Sequence, residues 1–116
     1  MSTLKTNSNI NKKQRFKNKD TENFYLGEKV LKFQELSKSD KQDAHRKVVL
    51  VRQAKNWKEI ILYFPFGASG SRLEKLSKNQ FSIRLSKQYR LLFKWDKKKQ
   101  FAYDIEINPH NKRYGK

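Results

Sequence analysis

Four cationic side chains towards the C-terminal end of the sequence have the types and spacing to act on a phosphate group. Arg84, Arg90 and Lys94 alternate with apolar residues, and His110 follows the last apolar segment. Guanidinium groups bind phosphate oxygens with two donors each, and histidine titrates near neutral pH. Cleavage of an RNA phosphodiester requires cations around the phosphate, a proton acceptor for the 2′-hydroxyl and a proton donor for the leaving 5′-oxygen. This set could supply all three, and three tail residues could fold over it: Lys112, Arg113 and Tyr114.

An ordinary surface explains the same cations equally well. Arg84, Arg90 and Lys94 could pair across strands with Asp104 and Glu106 as a ladder of opposite charges. The two carboxylates, at a spacing of two, could in principle hold a metal ion. However, the sequence offers no third ligand nearby, and the surrounding cations would repel a divalent ion.

Three apolar segments with period two are predicted to be strands that position these cations. Their apolar sets are Phe81, Ile83 and Leu85, then Tyr89, Leu91, Phe93 and Trp95, then Phe101, Tyr103, Ile105 and Ile107. Because successive side chains of a strand point to opposite faces, burial of these sets places a polar set on the other face: Ser82, Arg84, Arg90, Lys94, Asp104 and Glu106. The short polar connections predict an antiparallel meander.

Two helices are predicted before the sheet. The first begins at the N-cap Asp20, with Leu26, Val30 and Phe33 on one face and Gly27 as a possible interruption. The second begins with a capping box of Ser39 and Gln42. Its buried face contains Ala44, Val48 and Val51, and His45 lies on the polar flank, where a structural histidine is the simpler interpretation. The stretch from Trp57 to Gly70 is predicted to be irregular, and Leu73 and Leu76 to lead into the sheet.

The N-terminal region, residues 1–15, is predicted to be a basic flexible arm, since it is rich in Ser, Thr and Asn and contains little that could pack. Residues 16–116 are predicted to form one domain, in which Arg15-Phe16-Lys17 could add a short first strand with Phe16 inward.

The strongest global property is a net charge of +17 with a pI near 10.2, which favours polyanionic partners, nucleic acid first. The absence of cysteine excludes disulfides and thiolate metal sites. No apolar stretch approaches the length of a membrane span or of a secretory signal, so the expected location is cytoplasmic.

Several of these segments together resemble a known family. They are Leu73-Glu74-Lys75-Leu76, Phe81-Ser82-Ile83-Arg84-Leu85, Gln88-Tyr89-Arg90-Leu91-Leu92-Phe93-Lys94-Trp95 and Ala102-Tyr103-Asp104-Ile105-Glu106-Ile107, with a histidine after the last. The pattern closely resembles HigB-type toxins of the RelE/ParE superfamily of bacterial toxin–antitoxin systems. The resemblance implies an α+β fold of two helices packed on a twisted antiparallel sheet of about four strands.

The resemblance also implies an activity: an endoribonuclease that cleaves mRNA in the ribosomal A site by 2′-hydroxyl attack, without a metal or other cofactor. A helix-turn-helix, HigA-like antitoxin is the implied partner. By residue, Arg90 matches the family's phosphate-binding arginine, Arg84 is its basic neighbour, and His110 matches the histidine after the last strand. Lys75 or Lys78 would supply the usual lysine, and Tyr114 could stack on a base.

The sequence departs from the family pattern at two places. Glu74 replaces a histidine that contributes to the active site in some members, and Asn108-Pro109-His110 brings the terminal histidine one residue early. Two alternatives stay open, the second of them because of these departures. One is a toxin that inhibits DNA gyrase by binding, like the ParE branch, and the other is a basic RNA-binding module whose catalytic competence has lapsed.

Overall fold

The computed structural model describes residues 14–67 and 72–109, and they form helices packed against one four-stranded sheet. The strands are β1 (Leu73–Ser77), β2 (Gln80–Arg84), β3 (Tyr89–Asp96) and β4 (Phe101–Pro109). They lie in the order β1-β2-β3-β4, and each pair of neighbours is antiparallel. The predicted α+β class and the predicted meander are therefore confirmed, with β1 as a strand that the alternation did not predict.

The helical layer consists of α1 (Lys19–Tyr25), a 3₁₀ turn (Leu31–Phe33), α2 (Lys38–Gln53) and α3 (Trp57–Tyr63). The predicted N-caps Asp20 and Ser39 are wrong, because Asn18 and Ser37 occupy the extended cap positions two residues earlier. The Asn18 side chain accepts from the N–H of the third helical residue at 2.9 Å, and that of Ser37 does the same at 3.1 Å. Within the described residues, no helix is long and apolar enough to cross a bilayer.

The stretch after α2 is also more regular than predicted. Asn56 caps α3 by accepting from the backbone N–H of Glu59 at 3.0 Å; the helix buries Ile60 in the core, and Phe64, the residue after its end, is buried as well. Most apolar residues of this helix follow one another without polar residues between them. The sequence therefore shows no helical period here.

Gly27 ends α1 and divides the predicted first helix. Its φ of +90° is a left-handed conformation that favours glycine. The N–H of Gly27 donates to the carbonyl of Phe24 at 3.0 Å, and the N–H of Glu28 donates to that of Asn23 at 2.9 Å. As a result Leu26 is 60% exposed rather than on a buried stripe, whereas Phe33 on the 3₁₀ turn is buried.

The core lies between the helices and one face of the sheet. From α2 it takes Ala44, Val48 and Val51, as the sequence predicts. From the sheet it takes the predicted inward residues of β2 and β3 together with Ala102, Ile105 and Ile107 of β4. The opposite face of the sheet is not covered by any helix of the described chain, and it is called the open face below.

A bulge in β4 corrects the prediction for the first half of that strand. Leu92 pairs with Glu106 whereas Lys94 pairs with Tyr103, so β4 has one extra residue at this point. Asp104 lies in the bulge with φ of +51°. The extra residue reverses the alternation, so Ala102 is buried while Phe101 and Tyr103, predicted inward, pair with Asp96 and Lys94 and are only half-buried.

Short segments pair with the outer sides of β1 and β4. Phe16 forms a parallel bridge with Ile105 and packs against the core, so the predicted first strand is present as a single bridge. The predicted arm lies mostly outside the described residues, and the carbonyls of its last two residues, Gln14 and Arg15, accept from the N–H groups of Asp104 and Ile105. On the other side, Phe66 bridges Leu73 of β1.

Candidate active site on the open face of the sheet

Two arginines stand side by side on the open face. Arg84 of β2 pairs directly with Arg90 of β3, and Arg90 pairs on its other side with Asn108 of β4. Directly opposed residues of antiparallel strands point to the same face, with Cβ atoms about 5 Å apart. The structure therefore brings together these two predicted site residues, and their adjacent positive charges favour an anion between or above them.

Arg90 is held in place by two partners that lie behind it on the sheet. Its Nη1 donates to Oε1 of Glu74 at 2.8 Å and to Oγ of Ser82 at 2.9 Å. The Arg90 side chain is 14% exposed, and Ser82, which pairs with Glu74, is fully buried. Charge-assisted bonds of this length restrict the rotamers of a long side chain. Arg90 is thus a fixed donor, with part of its charge compensated by Glu74.

The side chains in the middle of the open face are closely packed. Leu92 lies between Ser82 and Glu106 in the register of the strands and is buried, although no helix covers this face in the described chain. Glu106 accepts from Asn108 Nδ2 at 3.1 Å and forms an ion pair with Lys17 at 3.7 Å. Glu106 is therefore engaged by β4 and the N-terminal segment, and not by Arg84 or Arg90 as in the predicted charge ladder.

Lys94 forms an ion pair across the strands, as the charge-ladder interpretation predicts. Its Nζ lies 3.6 Å from Oδ2 of Asp104, which also accepts through Oδ1 from Gln14 at 3.2 Å. These bonds and the bulge leave Asp104 and Glu106 with separate partners. Among residues 14–67 and 72–109, no group of three or more His, Asp or Glu side chains is arranged to hold a metal ion.

Two of the predicted lysines do not join the arginine pair. Lys75 pairs with Phe81 and so lies on the face that the helices cover, and Lys78 is exposed near the turn between β1 and β2, at the opposite end of β2 from Arg84. Four predicted site residues lie outside the described residues: His110, Lys112, Arg113 and Tyr114. The described chain ends at Pro109, which pairs with Tyr89 at the end of the sheet that carries Arg90.

Sequence reasoning did not identify Glu74 and Ser82 as partners of Arg90. The alternation predicts Ser82 on the open face, where the structure has it, but Glu74 belongs to β1, which the alternation does not predict. The sequence does place the apolar Leu73 directly before the polar Glu74, as the alternation of a strand requires. However, a five-residue strand with a single buried apolar residue gives a weak pattern.

His45, the histidine within the described chain, has a structural role. Its Nε2–H donates to the backbone carbonyl of Tyr25 at 2.9 Å, and its ring packs edge-on against Phe24 at 5.8 Å. It lines a cavity of about 610 Å³ between α2 and the loop after α1, apart from the arginine pair. This agrees with the interpretation of His45 as a structural residue.

Comparison with protein families decides the assignment. A family model for the RelE-like toxin HigB of type II toxin–antitoxin systems matches residues 14–110. The chain belongs to the HigB-like toxin family. This HigB-like toxin therefore has the fold class and family that the sequence motifs indicate, and an antitoxin is its implied partner. No curated protein with which it was compared matches it.

Proposed function

We propose that this HigB-like toxin is a ribosome-dependent endoribonuclease that cleaves mRNA in the A site and so inhibits translation. The observation that supports the proposal best is the cross-strand pair of Arg84 and Arg90, with Arg90 fixed by Glu74 and Ser82. Catalysis of phosphoryl transfer depends on donors that are already oriented towards the charge of the transition state. A fixed arginine beside a second, exposed arginine meets this requirement.

The residues take distinct roles in the proposed reaction. The 2′-hydroxyl gives its proton to solvent water as its oxygen attacks the phosphorus, the bond to the 5′-oxygen breaks, and the products are a 2′,3′-cyclic phosphate and a 5′-hydroxyl. Arg90 stabilises the charge on the pentavalent phosphate, and Arg84 binds a neighbouring phosphate oxygen. His110 donates the proton to the leaving 5′-oxygen. Glu74 positions Arg90, with which it forms the ion pair.

The remaining cations extend the RNA contact in this proposal. Lys94, Lys112 and Arg113 bind phosphates next to the cleaved bond, and Tyr114 stacks on a base. Lys75 and Lys78 lie away from the arginine pair, so they would contact RNA outside the cleavage site. The cognate antitoxin is proposed to be a helix-turn-helix, HigA-like protein with acidic segments, since it must compete with a highly anionic ribosome for a chain of charge +17.

The test is expression without the antitoxin, followed by mapping of mRNA 5′ ends. We expect cuts in frame with translation, lost in Arg90→Ala and His110→Ala and kept in Lys87→Ala, an exposed cation in the turn between β2 and β3. Growth arrest with intact mRNA and stalled DNA replication would contradict the proposal in favour of gyrase inhibition. RNA binding without any cleavage would indicate the lapsed binding module.

A further inference from the structure

An aromatic groove lies at the end of the sheet opposite to the arginine pair, on the face that the helices cover. Its volume is about 450 Å³, and its aromatic lining is Trp57, Phe66, Phe81 and Trp95. The Trp57 ring centroid lies 4.9 Å from that of Phe81, 5.3 Å from that of Trp95 and 6.5 Å from that of Phe66. Phe66 is 50% exposed and Trp57 is half-buried, so a planar ligand could reach both rings.

The polar residues around the groove carry one sign of charge. Lys75 of β1 and Lys97 of the turn between β3 and β4 line it and are exposed, and none of its lining residues is a carboxylate. Asn79 adds a side-chain amide. Trp95 also lines the groove, and its buried indole N–H has no hydrogen-bond acceptor within the described chain. The groove therefore combines aromatic faces with two cations.

We propose that this groove binds an unstacked base of single-stranded RNA, with Lys75 and Lys97 on the flanking phosphates. Aromatic faces interleaved with cations are typical of sites for single-stranded nucleic acid, where each base stacks on a ring and the backbone follows the positive charge. An acidic peptide would satisfy the two lysines, but it would leave the cluster of four rings without a planar partner. The observed chemistry fits a nucleotide better.

The groove is separate from the proposed cleavage site. Gln80 and Arg84 stand at opposite ends of β2, about 13 Å apart along the strand, and the groove and Arg90 lie on opposite faces of the sheet. The inference rests on the proposed function in one respect, namely that RNA is the partner. It adds a second contact that would hold RNA, messenger or ribosomal, without taking part in the reaction.

Intrinsic fluorescence tests this inference directly, because the chain has two tryptophans and both line the groove. We expect hexa-adenylate to quench this fluorescence saturably, and a stable RNA duplex at the same phosphate concentration to quench it much less. Phe66→Leu should weaken hexa-adenylate binding about tenfold, since it removes one stacking face from an exposed position. Lys75→Gln and Lys97→Gln should each lower the slope of log affinity against log salt by about 0.7.

Matched variants separate this inference from the proposed function. Leu62→Ala changes an exposed apolar residue of α3 outside the groove lining, and Lys87→Gln changes a distant exposed lysine, so both should bind hexa-adenylate as the parent does. Arg90→Ala should lose cleavage and keep the quenching. Equal quenching by duplex RNA, or an affinity unchanged in Phe66→Leu, would overturn the inference. Quenching by the purified cognate antitoxin but not by hexa-adenylate would also overturn it, in favour of a protein-docking surface.

Discussion

The guanidinium of Arg90 donates to the carboxylate of Glu74 at 2.8 Å across the whole width of β2, which separates their strands. The bond turns a flexible side chain into a fixed donor and also lowers its net charge. A phosphate that binds Arg90 must share the guanidinium with Glu74, so the two residues act as one unit.

Substitution of Glu74 separates positioning from proton transfer. Glu74→Gln keeps an oxygen acceptor for Arg90, so we expect single-turnover cleavage on ribosomes to stay within about threefold of the parent. Glu74→Ala removes the acceptor and should lower the rate about 10- to 100-fold, because a misplaced catalytic group costs that much. A loss of more than 100-fold in Glu74→Gln would show instead that Glu74 is the base for the 2′-hydroxyl. Circular dichroism of both variants provides the folding control.

The loss of stability at low pH should depend in part on the protonation of Asp43 in α2. Burial alone would raise the pKa of Asp43, but hydrogen bonds from Lys47 at 2.6 Å and Arg46 at 2.9 Å outweigh it and hold the pKa below its usual value. A lowered pKa contributes stability that is present at neutral pH and is lost as the pH falls below about 4. Because the Asp43 side chain is 41% exposed and solvent screens its ion pairs, we expect Asp43→Asn to lower the free energy of unfolding at pH 7 by about 0.5–1 kcal/mol.

The free energy of unfolding of Asp43→Asn, measured in urea at a series of pH values, should fall less steeply below pH 4 than that of the parent. Lys47→Met is the companion variant: it removes the partner at 2.6 Å that lowers the pKa of Asp43 while Asp43 itself remains, so its loss of stability at low pH should also be less steep. If Asp43→Asn and the parent lose stability in parallel below pH 4, the assignment to Asp43 is wrong.

The bulge at Asp104 should tolerate asparagine and reject valine. Asparagine adopts positive φ readily, so Asp104→Asn should lose only the ion pair with Lys94, worth about 0.5 kcal/mol. Asp104→Val places a β-branched residue at φ of +51° and should cost at least about 2 kcal/mol. Thermal unfolding measures both. Equal melting temperatures for the two variants would contradict the assigned conformation.

The stability of the protein should depend on a single hydroxyl group that joins α1 to β4. The N–H of Ile107 donates to Oγ1 of Thr21 at 3.0 Å, and Thr21 is fully buried. Thr21→Val has nearly the same shape but leaves that N–H without an acceptor, so we expect a cost of about 1–3 kcal/mol in urea unfolding. Thr21→Ser keeps the acceptor and should cost less. The reverse order would show that packing of the methyl group dominates.

The sequence predicted the arginine pair because period-two alternation and a short turn determine the register of β2 against β3. It failed where the alternation is interrupted or absent. Alternation predicts Tyr103 to point inward because the bulge adds one residue with no compositional mark, and it predicts no strand at Glu74 because β1 buries a single apolar side chain. The helix α3 was missed for the opposite reason, since its apolar run shows no period. Contacts that depend on these elements, such as that between Arg90 and Glu74, could not be derived from the sequence.

The parallel bridges at Phe16 and Phe66 have a consequence for the free toxin in solution. An uncovered edge strand is a template on which another copy can add its own strand, which leads to aggregation. Here each edge of the sheet is blunted by a short stretch of the same chain. We therefore expect this highly charged protein to resist edge-to-edge assembly even when no antitoxin is present to shield it.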